Sequence, residues 1–382
     1  MSAVSPSPLI DGNKVTLLVD GPATYDAMLD EMSKAKDHIN LETFIFSGDK
    51  TGDKFADLLL MKRLEGVQVN VIYDSFGSIC TSHSFLERLR AGGINVLQFD
   101  PISPFKARGK WRPLSRDHRK LLIVDGKVAI MGGVNISGVY SSGLSEPGRE
   151  RAVRSWRDTD IRLEGPAVAE CQRLFLDTWK EQKGPELPKR AYFPTLKEVG
   201  TDLVQVVGSE SGQRHRITFV MYISAIIFAK KSVHLTTAYF VPDRQTVKSL
   251  IDAVSRDVDV KIVVPERSDE PIAVAAGRYF YSDLLKHGVK IYERRGVMLH
   301  AKTAVIDGVW STVGSSNLDY WSFLHNNEIN AIILSRDFAR NMEKLFASDI
   351  VKSDEITWQE WKNRPLLPRA WEWFMHLFAH FL

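Results

Sequence analysis

The chain has 382 residues, a formal net charge of +3, 44% hydrophobic and 25% charged residues, and two cysteines. That length suits two domains or one duplicated unit, and the composition is globular, which excludes a disordered chain and a disulfide-stapled scaffold. The slight positive charge permits an anionic partner without demanding one, and Cys80 and Cys171, far apart and without metal-type spacing, fit a reducing compartment.

Residues 1–8 lack the charged and apolar regions of a signal peptide. Residues 13–20 read as a strand. Residues 24–36 read as a helix, with Tyr25, Met28, Met32 and Ala35 at helical spacing. Residues 38–46 alternate like a strand, 48–52 form a loop, and 55–65 form a second helix stopped by Gly66. A β-branched strand follows at 67–73, then a helix at 84–91 stopped by Gly92 and Gly93, then a strand at 94–99. The order of elements recurs in the second half: helix 217–229, strand 233–241, helix 246–255, strand 258–264, helix 282–287 and strand 289–293. This predicts an α/β protein made of two pseudo-symmetric repeats, each a β-sheet flanked by helices, with the active site at their interface. The repeats cover 1–183 and 201–357, joined by a linker at 184–200 rich in Pro, Lys and Glu.

After the last strand of each half comes the same pattern, H-x-K-x-x-x-x-D. It is His118, Lys120 and Asp125 in the first half, and His300, Lys302 and Asp307 in the second. An asparagine follows each at the same distance, Asn135 after Gly132–Gly133 and Asn317 after Gly314–Ser315. Chance matches to three fixed residues occur about once in ten thousand starting positions, so a doubled match in register is not accidental.

Two histidines brought together by symmetry can divide a displacement reaction. One attacks and carries the covalent intermediate; the other protonates the leaving group and then activates the incoming nucleophile. Lys120, Lys302, Asn135 and Asn317 supply what a phosphoryl transition state requires, cations and donors around spread negative charge. Asp158 and Glu328, at similar offsets after His118 and His300, are the acids expected to hold the two imidazoles. Asp125 and Asp307 complete the catalytic motifs, with bracing of the following turn as their physical task. No metal-ligand spacing or nucleotide-binding glycine loop is present, so neither metal nor cofactor is expected.

Two loops carry basic residues that suit anionic ligands: Lys106, Arg108, Lys110, Arg112 and Arg116 in 101–116, and Arg149, Arg151 and Arg154 in 138–155. No apolar run reaches the roughly twenty residues of a membrane span. Residues 358–382 change character: after Pro368 a helix would be apolar around most of its circumference, with Glu372, His376 and His380 as a polar stripe. This aromatic tail suits the membrane interface, and the apolar 217–229 is a second candidate contact.

The doubled motif, with Asn40–Leu41–Glu42–Thr43, Trp156–Arg157–Asp158, Tyr239–Phe240–Val241–Pro242–Asp243 and Gly314–Ser315–Ser316–Asn317, resembles the phospholipase D superfamily and, within it, bacterial cardiolipin synthases. The likeness is to the short subtype without N-terminal membrane helices. It implies a phosphatidyl-histidine intermediate, with His118 as nucleophile and His300 as acid/base. It also implies phosphatidylglycerol as acceptor, and phosphatidylglycerol or phosphatidylethanolamine as donor. A peripheral location on the cytoplasmic side of the bacterial inner membrane follows. Nucleic acid is not an expected partner, since no continuous basic stripe is present. The alternatives are a phospholipase D hydrolase releasing phosphatidic acid and a metal-independent nuclease.

Overall fold

The computed structural model describes residues 7–102, 114–141, 156–210 and 217–378. The first half contains β1 (Ile10–Val19), α1 (Asp20–Lys34), β2 (His38–Thr43), α2 (Lys50–Leu64), β3 (Gln68–Asp74), α3 (His83–Ala91) and β4 (Asn95–Phe99). It continues with β5 (Arg116–Asp117), β6 (Leu121–Val124), β7 (Val128–Gly132), β8 (Trp156–Arg157), β9 (Thr159–Glu164) and α4 (Val168–Glu181). The second half begins with β10 (Asp202–Ser209), α5 (Ile217–Phe228), β11 (Ser232–Thr237), α6 (Arg244–Val254) and β12 (Asp259–Pro265). Next come α7 (Pro271–Arg278), α8 (Tyr281–Lys286), β13 (Lys290–Arg294), β14 (Met298–Leu299), β15 (Lys302–Ile306) and β16 (Trp310–Gly314). The chain closes with α9 (Tyr320–Leu324), β17 (Asn326–Leu334), α10 (Arg336–Val351), β18 (Ser353–Ile356), α11 (Trp358–Lys362) and α12 (Leu366–His376).

The strand order exposes the duplication. One side runs β4-β3-β2-β6-β7-β9-β1 and the other β13-β12-β11-β15-β16-β17-β10, with β18 added outside β13. The two runs join where β1 pairs with β10. In both halves parallel strands form the outer part, and an antiparallel hairpin carrying the motif lies inside. Each sheet has one face on its own helices. Met32, Phe55 and Leu59 pack there in the first half; Ile226, Leu250 and Leu284 do so in the second. The opposite faces share a central core with α4 and α10, where Ile123, Met131 and Phe175 meet Val305, Val313 and Phe338. The halves are thus fixed by apolar burial as well as by the sheet.

Some element boundaries differ from expectation for clear reasons. Residues 48–52 do not form a loop throughout: the Asp49 carboxylate accepts from Thr51 N and Gly52 N, which starts α2 at Lys50. The expected strands 38–46 and 233–241 end early, at Thr43 and Thr237, and the following residues turn toward the motif lysines. Helix α7 was not apparent from periodicity, although Pro271 at its first turn is a start signal. Apolar α5 is a core helix. Eight of its residues are buried, and Ile227 and Phe228 are exposed at its end, so 217–229 is not a broad membrane face.

Candidate active site

Two short parallel ladders cross between the halves and build the site. β5, just before His118, pairs with Asn326–Asn327, just before Glu328. β14, just before His300, pairs with Trp156–Arg157, just before Asp158. The ladders run one residue further as His118 N donates to Asn327 O at 2.9 Å and His300 N to Arg157 O at 2.8 Å. Register therefore sets each histidine beside the carboxylate of the other half. His118 Nδ1 lies 3.1 Å from both Glu328 oxygens, and His300 Nδ1 lies 2.7 Å from Asp158 Oδ2. The sequence names the two acids without saying which ring each holds; the structure crosses them between halves, because the ladders are formed between halves.

A carboxylate at Nδ1 fixes that nitrogen as the protonated one and leaves Nε2 for chemistry. Burial, then the Lys120 ammonium, push the His118 imidazole down to about 4 against the upward pull of Glu328. Burial and Lys302 also depress His300. Both imidazoles are thus neutral near pH 7. Burial pulls the Glu328 and Asp158 carboxyls upward, but the facing histidine and lysines outweigh it and hold both below their usual range. Each dyad is a neutral ring on an ionised acid.

Lys120 Nζ donates to His118 O at 2.6 Å, and Lys302 Nζ donates to His300 O. Both ammonium groups are buried. Burial lowers Lys120 to about 7 and Lys302 to about 8, with Glu328 and Asp158 opposing. Lys302 also repels charge on His118 and Lys120, so the motif groups of both halves act on one site. A bound anion would restore both charges, which is the behaviour of a phosphate site.

The asparagines are not equivalent. Asn135 is committed: its Oδ1 accepts from Ile45 N at 3.1 Å and its Nδ2 donates to Tyr140 Oη at 2.9 Å. The Asn317 side chain makes no hydrogen bond among the described residues, so its Nδ2–H donors are the amide donors left for an anionic oxygen. The expectation of two equal phosphate ligands is corrected to one available amide and one brace.

Asp125 and Asp307 lie at the far end of their strands. From Lys120 to Asp125 is about 17 Å at about 3.3 Å per residue. Each occupies an Asp-Gly turn with positive φ at both positions, 51° and 62° in the first, 54° and 63° in the second. The Asp125 carboxylate accepts from Lys36 N, Asp37 N and His38 N at 2.8–3.2 Å. Asp307 binds Lys230 N, Lys231 N and Ser232 N at 2.7–3.1 Å. These acids strap the hairpin to the start of β2 and β11; their inclusion in the catalytic set is corrected on that geometry.

Arg116 also departs from expectation. It is buried, donating to Ser75 Oγ at 3.0 Å with Asp74 at 3.8 Å, and supports β5 rather than extending from a basic loop. The other basic loop residues, Lys106, Arg108, Lys110, Arg112, Arg149, Arg151 and Arg154, lie outside the described residues, as do His380 and the last two residues.

Several neighbours escaped the motif reading. The Phe44 ring lies 5.1 Å from the His118 ring and 5.2 Å from Lys120 Nζ. Tyr239, its counterpart, lies 6.4 Å from His300 and 5.9 Å from Lys302 Nζ. Trp156 packs at 5.1 Å from His300, and Tyr140 Oη lies 3.3 Å from its Nδ1. Ser315 Oγ donates to Glu328 at 2.5 Å. In the other half Gly133 stands at that position, where a Cβ would collide with Asp158. The Gly-Gly versus Gly-Ser difference between the repeats was the available signal. Among the described residues no cluster of His, Cys, Asp and Glu could hold a metal ion.

Comparison with known proteins agrees with this arrangement. A family model described as cardiolipin synthase, PLD-like domain, matches residues 28–143 and 222–350, taking in both motifs. The cardiolipin synthase of Geobacillus thermodenitrificans is 33% identical over 96% of this chain and 72% of its own length. That of Listeria innocua is 34% identical over 94% of this chain and 73% of its own. The crystal structure of phosphatidylserine synthase from Haemophilus influenzae aligns over 100% of this chain and 96% of its own with TM-score 0.72 at 12% identity, a likeness of fold. With two matched halves and a family model spanning most of the chain, the protein belongs to the phospholipase D-like cardiolipin synthase family.

Proposed function

We propose that the chain is a phosphatidyltransferase that makes cardiolipin through a phosphatidyl-histidine intermediate. The observation that carries this reading is the pair of buried, neutral histidines, each oriented by the other half's carboxylate and flanked by a lysine. His118 Nε2 attacks phosphorus. The N–P bond forms as the bond from phosphorus to the headgroup oxygen breaks, and a protonated His300 delivers its proton to that oxygen. Negative phosphate between the rings favours that protonated form. The terminal glycerol hydroxyl of phosphatidylglycerol then loses its proton to His300, and its oxygen displaces His118 from phosphorus. Two phosphatidylglycerols give one cardiolipin and one glycerol; phosphatidylethanolamine as donor would release ethanolamine. Lys120, Lys302 and Asn317 stabilise the equatorial oxygens through both displacements.

The enzyme acts at a membrane surface, peripherally and on the cytoplasmic side of the bacterial inner membrane. Among the described residues no helix is long and apolar enough to cross a membrane. What supports surface binding is α12. Its Glu372 is buried in a pair with Arg364 at 2.7 Å, Met375 packs on Ala273 and Ala276, and His376 stacks on Tyr279. The polar stripe thus faces the protein while Leu367 (84% exposed), Trp371 (55%) and Phe374 (45%) face outward. Apolar side chains facing solvent at this density suit an interfacial helix. Met375, on the packed side of the helix, shares its small cluster with Tyr239, beside His300, so α12 lies next to the site.

The test is product analysis. Protein is incubated with phosphatidylglycerol vesicles in EDTA, with and without phosphatidylethanolamine, and products are separated by mass. Cardiolipin with released glycerol is the expected result. Phosphatidic acid as the sole product would replace transferase by hydrolase, and turnover restored only by a divalent ion would overturn the metal-independent mechanism.

A further inference from the structure

Away from the histidines, an open groove of about 940 Å³ lies between α6, the α7–α8 junction and the first turns of α12. Its size is at the upper end of ligand pockets, roughly 300–1,000 Å³. Val247, Ile251, Phe280, Leu366 and Trp373 give it an apolar wall. Trp373 and Leu366 are also 54% and 75% exposed, so the groove opens onto the outward face of α12.

The charges around it are unevenly matched. Arg364 is neutralised by Glu372 through two hydrogen bonds at 2.7 and 2.8 Å. Asp283 faces His287 at 3.2 Å, and Lys248 pairs with Asp252. Arg244 and Arg369 line the same groove, are exposed, and have no ion pair or side-chain hydrogen bond among the described residues. Two unpaired guanidinium groups on an apolar groove beside an interfacial helix complement a ligand with an anionic head and an acyl tail. Guanidinium binds phosphate through two parallel N–H donors, and the groove walls take hydrocarbon.

We propose that this groove is a second, non-catalytic site for one anionic phospholipid. Arg244 and Arg369 hold its phosphate, and an acyl chain lies along Val247, Ile251 and Phe280. The bound lipid fastens α12 to the bilayer and keeps the adjoining mouth of the site against its substrate. The assignment rests on the reading of the chain as an enzyme of phospholipid membranes, but its test needs no turnover.

A His118→Ala/His300→Ala chain is titrated with dihexanoyl phosphatidylglycerol and, separately, dihexanoyl phosphatidylcholine, by calorimetry below their micelle concentrations. Two equivalents of phosphatidylglycerol are expected, one in each site. Adding Arg244→Ser and Arg369→Ser should reduce this to one. Ile251→Trp, which fills the groove without altering charge, should do the same. The Arg variant should also weaken co-sedimentation with phosphatidylglycerol vesicles at least about tenfold, as loss of two cations near an anionic surface implies. Circular dichroism confirms that each variant is folded. An unchanged stoichiometry in both groove variants would overturn the proposal, as would equal binding of phosphatidylcholine to the groove. If the otherwise unaltered enzyme forms no cardiolipin but the groove still binds, the catalytic reading fails and the lipid site stands.

Discussion

His118 and His300 are equivalent in the motif but not in their surroundings. Glu328, which holds His118, also accepts from Ser315 Oγ and from Asn326 Nδ2 at 3.1 Å. Asp158, which holds His300, is anchored by Thr159 N at 2.8 Å, and Tyr140 joins the same ring nitrogen. Glu328→Gln keeps the size and loses the charge that selects the Nδ1–H tautomer. Activity should fall about 10³- to 10⁴-fold with the melting temperature nearly unchanged, by analogy with the acid of a serine triad; near-normal kcat would remove Glu328 from the mechanism. The lysines give a pH dependence of definite sign. Their positive forms bind the phosphate, and burial brings them to about 7 and about 8. Since kcat/KM reports the free enzyme, it should decline as pH rises through 7–8, while His118, at about 4, remains neutral throughout. A profile flat from pH 6 to 9 would contradict this. The histidines, lysines and their acids were legible because the motif is repeated. No role for Phe44, Tyr140 or Tyr239 was legible, although Tyr239 stands in a segment that carries the family likeness, because an aromatic side chain reads the same whether it packs a core or walls a site.

At the scale of elements, two ladders of two residues do most of the positioning. Strands this short carry no hydrophobic period, so neither β5 nor β14 could be read from the sequence, and the crossed partnership followed from them alone. The motif acids belong to this scale too. Burial raises the Asp307 carboxyl, but three backbone N–H groups more than compensate and hold it below its usual value. Its contribution to stability is therefore present above the unfolded-state value near 4 and lost as pH falls through the lower folded value. Asp307→Asn should lower stability by about 1 kcal/mol, since Lys230 N and Lys231 N are exposed donors and only Ser232 N is partly buried. Turnover at a temperature well below melting should stay within a few-fold of normal. Loss of turnover with unchanged melting would return this residue to the chemistry. The tail element makes a separate prediction. Leu367, Trp371 and Phe374 are exposed, so converting all three to Ser should leave melting unchanged and reduce co-sedimentation with anionic vesicles several-fold. Equal vesicle binding would exclude α12 as the contact.

The whole molecule is a duplicated sheet closed on a shared core. The repeat was visible in the order of strands and helices, because the same turn residues and apolar periods recur at matching places. How the halves meet was less visible. The edge pairing of β1 with β10 and the burial of α4 and α10 between the sheets depend on contacts distant in sequence. That assembly is what makes one site from two motifs, and it separates this account from a protein with two independent half-sites. The most direct test is the rate of cardiolipin formation by His118→Asn and His300→Asn, each measured alone in otherwise unaltered protein. A single shared site predicts that each variant loses activity by at least about 10³-fold, since the nucleophile and its acid/base partner act as a unit. Retention of about half the normal rate in either variant would mean that the halves work separately, and would contradict the crossed two-histidine site.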